Sequence, residues 1–447
     1  MDSQGRPIQR LEPTITDFVA YAAIAVFVIS YILIATEKVH RVAAALGGVA
    51  GMTLLGLVRA ESAFFNEHTG VDWNVLFLLF GMMVIVSILR HTGLFEFIAL
   101  WAARTSQGRP ARLMVLLILV TAAFSPILDN VTTVLLVTPV TLSVCQRLRV
   151  DPTPHLIALI LAANVGGLST LIADPPNIII ASRAGLTFDD FLVHALPLCL
   201  VLLVVLILLL QLLFRKQLHV QVDVEEVLKG IHPADAIEDK PLLMKCLTVL
   251  ALTMVAFGFH TIIHVDPSIV ALLGAGAMVL VSRTTPKEFL GEVEWMTLAF
   301  FMALFVLVGA LVEVGVIASI GHVAADLMGG NELVGATGLL IFSTVAGAIV
   351  DNIPYTTAMT PVVEQMVAST AHAQADSPLW WAFVFGADLG GNTTAVAAGA
   401  NVVVLGVAAK WGRPISFWKF TKYGLVVTAT TLLISWLYVW LRYFVIA

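Results

Sequence analysis

Apolar runs follow one another along the chain from residue 15 onward, parted by short polar loops, and most are too uniformly apolar for surface helices. A helix crosses a bilayer with roughly 17–25 such residues. The first half reads as spans at 15–35 and 43–58, then a segment at 73–104 that Arg90-His91 divides into one crossing and a tilted or interfacial helix. The 15–35 run is longer than the apolar core of a signal peptide and reads as an uncleaved first helix. Residues 113–148 contain two apolar arms of about a dozen residues, each too short to cross alone, joined by Ser125-Pro126-Ile127-Leu128-Asp129-Asn130. That pattern predicts a re-entrant hairpin with its tip at membrane depth, where irregular backbone survives only inside protein or beside a water-filled cavity. The run at 155–182 is interrupted by Asn164-Val165-Gly166-Gly167-Leu168-Ser169-Thr170 and by Asp174-Pro175-Pro176-Asn177. Glycine and proline both loosen a helical ladder, so this span is expected to be discontinuous. A run at 191–214 closes the half.

The second half repeats the pattern. Val71-Asp72-Trp73 returns as Val293-Glu294-Trp295, Gly93 as Gly315, Asp129-Asn130 as Asp351-Asn352 and Thr138-Pro139 as Thr360-Pro361, all displaced by 222 positions. Further on the displacement is 224: Asn164-Val165-Gly166-Gly167 matches Asp388-Leu389-Gly390-Gly391, Ser169-Thr170 matches Thr393-Thr394, and Asn177 matches Asn401. A near-constant displacement across polar and glycine landmarks marks an internal duplication. The expected organisation is a polar tail at 1–14, a first repeat at 15–214, a cytoplasmic linker at 215–240 and a second repeat at 241–447. Five crossings and one returning hairpin per copy make an odd number, so the second copy is expected upside down. With that topology 18 Lys and Arg residues fall on one side, while Arg6, Arg10, Arg59, Arg183 and Arg442 fall on the other. The positive-inside rule makes the rich side cytoplasmic and puts both termini outside, in a bacterial-type inner (plasma) membrane.

Composition agrees and excludes other classes. The chain is 59% hydrophobic and 12% charged, against roughly 25% charged in a soluble domain. The fold class is therefore an all-α polytopic membrane protein built from two inverted-topology repeats, its surface facing lipid. No basic stretch interleaved with aromatics suggests nucleic acid as a partner. Cys145, Cys199 and Cys246 stand singly at or within apolar segments and read as core thiols, neither bridges nor metal ligands.

The candidate chemistry lies at the hairpin tips and helix breaks. An ionised side chain at membrane depth costs several kcal/mol, so Asp129 and Asp351 at equivalent tips are functional candidates. Asp174 and Asp388, on the two broken helices at positions that do not match, come next. Asn130, Thr132, Asn164, Ser169, Thr170, Asn177, Asn352, Asn392, Thr393, Thr394 and Asn401 supply neutral oxygens and amides around them. A plainer role exists for each: capping of the following helix for the acids, and hydrogen bonding of unwound backbone for the rest. Glu313, near a glycine at a helix end, reads equally well as an interfacial carboxylate. Arg90-His91 reads as a snorkelling pair, and His194, His260 and His264 as core or interfacial histidines.

The stretches Leu128-Asp129-Asn130-Val131-Thr132-Thr133 with Thr138-Pro139, Asn164-Val165-Gly166-Gly167 with Asp174-Pro175-Pro176-Asn177, and Asp351-Asn352-Ile353-Pro354 resemble the ion transporter superfamily. Within it they are most similar to the citrate transporter-like branch that holds arsenite permeases, sodium/proton antiporters of the NhaD type and the P protein. The resemblance runs over essentially the whole membrane portion. It implies a scaffold domain that commonly forms a homodimer, a transport domain of hairpins and broken helices, and elevator-like alternating access. Dicarboxylate members of the superfamily carry Ser-Asn-Thr at the tips, whereas here an acid stands in the serine place.

The expected function is a secondary active transporter, a proton-coupled antiporter that extrudes a small inorganic solute, arsenite or antimonite or else sodium. No cofactor is expected. A proton or sodium would be the coupling ion, and any sodium would be held by the same residues. The alternative is sodium-coupled transport of an organic anion such as citrate. An intramembrane aspartyl protease, which also uses two buried Asp residues, is the remote alternative.

Overall fold

The computed structural model describes residues 17–36, 38–66, 69–218, 233–237, 239–370 and 376–446. The polar tail at 1–14 and positions 219–232 of the linker lie outside the described residues. Among the described residues the chain is helical throughout, with no strand. Seven of the described helices are long and apolar enough to cross a membrane. The chain is thus a polytopic membrane protein.

The first half runs α1 (Asp17–Thr36), α2 (Arg41–Leu54), α3 (Ala60–Phe64), α4 (Trp73–Arg90), α5 (Leu94–Thr105), α6 (Pro110–Phe124), α7 (Asn130–Arg147), α8 (Thr153–Gly167), α9 (Pro175–Ala184), α10 (Phe188–His194), α11 (Leu196–Leu213) and α12 (Arg215–Leu218). The second half runs α13 (Lys240–Ile263), α14 (Pro267–Ser282), α15 (Pro286–Gly291), α16 (Trp295–Glu313), α17 (Val316–Met328), α18 (Glu332–Ile349), α19 (Asn352–Ala368), α20 (Pro378–Gly390), α21 (Gly399–Lys410) and α22 (Phe417–Trp440). Except for the short α10 and α12, the described helices of the two halves follow the same order, and details of the turns agree. Gly93 and Gly315, each in the left-handed region where a side chain would strain, open α5 and α17. Pro139 and Pro361 lie inside α7 and α19.

Packing follows the same exchange of halves. Helix α2 lies on α16 and α4 on α14; α6 lies on α8 and α18 on α20; α7 meets α21 and α9 meets α19. Every residue of α8 and of α20 is buried, whereas α11 and α13 leave much of their apolar surface exposed. Burial on every side marks α8 and α20 as the centre of the bundle. The broken helices therefore form the middle, with lipid-facing helices outside.

Small residues allow that centre to close. A Cβ on Gly390 would lie 2.9 Å from the Thr344 carbonyl and 3.0 Å from Gly347 Cα, and one on its mate Gly166 would lie 2.9 Å from Ala122 Cα. These are backbone obstacles that cannot swing aside. Gly390→Val is expected to cost about 1–3 kcal/mol or more through overpacking, read as a lower melting temperature of the purified protein. An unchanged melting temperature would show that α18 and α20 separate readily.

Some expectations need correcting. The arms of the first hairpin are 15 and 18 residues long, because α6 begins at Pro110, where proline fits the first turn. In the second hairpin α18 alone has spanning length. The run at 191–214 is two helices, α10 and α11, parted at Ala195. Arg90 and His91 do not merely snorkel: they reach Glu292 at 3.9 and 3.1 Å.

Candidate functional site

Each hairpin turns on an acid that caps the arm after it. Asp129 accepts from the backbone N–H of Thr132 at 2.8 Å and from the Thr132 hydroxyl; Asp351 accepts from the backbone N–H of Ile353 at 3.0 Å. An N-cap carboxylate satisfies orphan amides and sits favourably at the positive end of the helix dipole. The structural role is thus real, and it holds both carboxylates at the tips.

The helix break in the first repeat supplies a third acid. Pro175 and Pro176 start α9, and Asp174 precedes them in extended conformation, 6% exposed. Asn130 at the hairpin tip donates to Asp174 Oδ2 at 2.6 Å, while the Ser125 hydroxyl stands 2.6 Å from Asn130 Oδ1. The second hairpin is tied to its own broken helix by Asn352 N–H donating to the Ala397 carbonyl at 3.2 Å. Asn130→Ala should therefore strip a charge-assisted bond from a buried carboxylate, at about 1.5–3 kcal/mol, seen as a lowered melting temperature. Equal stability of that variant would mean Asp174 finds another donor.

The two tips and the break converge on one cavity of about 510 Å³. Asp129, Asn130, Asp174, Asp351 and Asn352 line it, together with Glu294, Arg41 and the apolar wall of Leu79, Met82, Met83 and Val86. Asp174 lies within electrostatic range of Asp129, Asp351 and Asp388. Glu294 accepts from the Thr297 hydroxyl at 2.8 Å, and Arg41 reaches that hydroxyl at 3.4 Å while its guanidinium lies over the Phe300 ring. Arg41 is the one Lys or Arg among the lining residues.

The remaining candidates lie away from this cavity. Ser169, Thr170 and Thr394 donate their hydroxyls to the carbonyls of Gly166, Pro126 and Ala348, and the Thr393 hydroxyl donates to that of Thr428. For Ser169, Thr170 and Thr394 the geometry is that of backbone repair at unwound turns, while Thr393 ties its turn to α22. Asn164, Asn177, Asp388, Asn392 and Asn401 form a second, deeper polar cluster between the two breaks. Sequence reasoning missed Glu294 and Arg41 as members of the site. Glu294 was visible as the mate of Asp72, but an acid at the start of a span reads first as an interfacial cap.

Elsewhere in the bundle, the repeat mates of three cavity-lining residues pack closely. Phe305, Val308 and Ile179, the counterparts of Met83, Val86 and Val403, enclose only about 20 Å³.

Comparison with known proteins agrees with this architecture. Residues 31–386 match the family model described as a citrate transporter, CitMHS. An uncharacterised transporter of Mycobacterium tuberculosis is 51% identical over 424 residues, covering 95% of this chain and 99% of its own. The human P protein is 33% identical across 90% of this chain, which spans 57% of that longer protein. The crystal structure of the Alcanivorax borkumensis YdaH transporter superposes over 96% of this chain and 98% of its own, with a TM-score of 0.62 at 13% identity. That likeness is one of fold.

Proposed function

This chain belongs to the citrate transporter (CitMHS) family of membrane transporters, and we propose that within it the protein is a proton-coupled antiporter for a small inorganic solute. The carrying observation is the charge of the cavity. Asp129, Asp174, Asp351 and Glu294 face one space in which Arg41 is the single Lys or Arg. Two like charges 4 Å apart repel by about 4 kcal/mol at an effective dielectric near 20, so a bare tricarboxylate would meet a steep barrier there. A cation, or a neutral hydroxide such as arsenite, meets none. Acids that lose protons when such a solute binds, and regain them when it leaves, provide the exchange.

Alternating access follows in the same reading. The repeats are taken as inverted, and residues that loop charges assign to one side do meet: Arg41 with Thr297, and Lys419 with Thr153. The acid-lined cavity opens on that side, so we read the structure as the inward-open state. Asp129 and Asp351 bind solute or proton, Asp174 adjusts the charge at the first tip, and Asn130 and Asn352 orient the tips.

The family description and a volume well beyond that of a single ion favour a second reading, sodium-coupled transport of an organic anion. The remote protease reading is set aside, because the family and the structural neighbour are transporters. A thermal-shift series on the purified protein separates the first two. Sodium chloride or potassium arsenite should raise the melting temperature, and potassium citrate should not. Stabilisation by citrate only when sodium is present, with none by arsenite, would establish the organic-anion reading instead.

A further inference from the structure

The exchange symmetry of the halves fails at a buried pair on the broken helices. Asn177 and Asn401 are repeat mates that use their amide hydrogens alike. Asn401 Nδ2 donates to the Gly391 and Thr394 carbonyls at 2.7 and 2.8 Å, and Asn177 Nδ2 donates to the Gly167 and Thr170 carbonyls at 3.1 and 3.2 Å. Those bonds identify the nitrogen of each amide and leave each Oδ1 to be satisfied from elsewhere. For Asn401 the partner is Asn164, whose Nδ2 donates to Asn401 Oδ1 at 3.3 Å and to Asn392 Oδ1 at 3.0 Å.

In the other repeat Asp388 occupies the place of Asn164, and a carboxylate has no N–H to give. The Asn177 amide is the side chain that approaches the Asp388 carboxylate, but its hydrogens are directed at the Gly167 and Thr170 carbonyls, and no donor reaches Asn177 Oδ1 or either Asp388 oxygen at full hydrogen-bond geometry. Asp388 is 2% exposed and Asn177 is fully buried. Against these oxygens the cluster offers one unpartnered donor, Asn392 Nδ2, and a buried carboxylate left without a partner costs several kcal/mol or more unless something positive joins it. Asn164 Oδ1 is a fourth such oxygen in the cluster.

We propose that Asp388 and Asn177 form a site for one small monovalent cation, a proton or a sodium ion, separate from the acid-lined cavity. The proposal rests on the carrier reading and assigns its coupling ion a place. A cation there would act on the cavity through Asp174, which lies three residues before Asn177, within electrostatic range of Asp388, and takes a hydrogen bond from the tip residue Asn130. Of the helices packed on α20, α9 brings this one charge into range; α8, α18, α19 and α22 bring neutral groups such as Asn164, Thr344, Asn352 and Thr428 to the same end. Binding at Asp388 thereby changes the net charge that a solute meets at the tips, which is a coupling between two sites.

Asp388→Asn tests this, because it supplies the amide that Asn164 already presents in the other repeat and is expected to fold. Melting temperatures of the full-length protein would be measured from acid to alkaline pH in choline chloride and in sodium chloride. A ligand that binds the folded state raises its stability by mass action. The wild type is expected to lose several degrees as cations are withdrawn, and Asp388→Asn to lose most of that dependence. If sodium chloride restores the loss at alkaline pH the cation is sodium; if only acid restores it, the cation is a proton. A wild type indifferent to both, or an Asp388→Asn variant that follows the wild type, would overturn the site. The carrier reading fails separately, when Asp129→Asn and Asp351→Asn retain coupled transport.

Discussion

Asp129→Asn and Asp351→Asn are each expected to reduce solute-coupled proton flux in proteoliposomes to the level of empty vesicles, with the protein still folded. Asparagine caps a helix about as well as aspartate, so the turn over Thr132 or Ile353 should survive the change. What disappears is the charge. A neutral amide neither releases a proton on solute binding nor balances a cation, so the two variants separate the capping role from the carrying role. Retention of full pH-dependent transport by both would show that these acids are caps alone.

The second large effect concerns sidedness. Met83 lines the open cavity and Phe305, its repeat mate, lies in the collapsed counterpart at 5% exposure. The native cysteines Cys145, Cys199 and Cys246 are all buried, so single added thiols can be read against a quiet background. Met83→Cys should react with a membrane-impermeant thiol reagent applied from the Arg41 side. Phe305→Cys, probed from the other side, should react at least about tenfold more slowly, since a minor conformer is populated at roughly 0.1–10%. Supplying transported solute should speed labelling of Phe305→Cys and slow that of Met83→Cys. Equal labelling of either position from both sides, with or without solute, would point to a channel.

Much of this was legible before the fold was known, and the reasons differ by feature. The duplication was readable because glycines, prolines and buried polar residues are tolerated at few places in a membrane helix, so their order survives as a pattern: Gly93 with Gly315, Asp129 with Asp351, Asn177 with Asn401. The hairpin tips were readable because an acid between two apolar arms has no cheap explanation. Arm length was not, since Pro110, Ala111 and Arg112 belong to α6 although only Leu113 begins the apolar run. Interactions between distant segments left no local trace. The approach of Arg41 to Thr297, and of Arg90 and His91 to Glu292, depends on how the halves dock. The hydroxyls of Ser169, Thr170 and Thr394 looked like ligands in the sequence and serve backbone carbonyls in the fold. Conversely, the Asn164 and Asp388 mismatch was visible as letters, but its meaning needed the hydrogen bonds that commit Asn177.

The central claim is that the acids at the meeting point of the two repeats exchange protons for an inorganic solute. Its most direct measurement is proton flux in proteoliposomes loaded with an impermeant pH dye and challenged in turn with sodium, lithium, arsenite and citrate. The account predicts a proton movement opposite to the solute for sodium or arsenite, absent when Asp129 and Asp351 are both asparagine. Proton movement that arises with citrate alone, or that persists in the double variant, would contradict it.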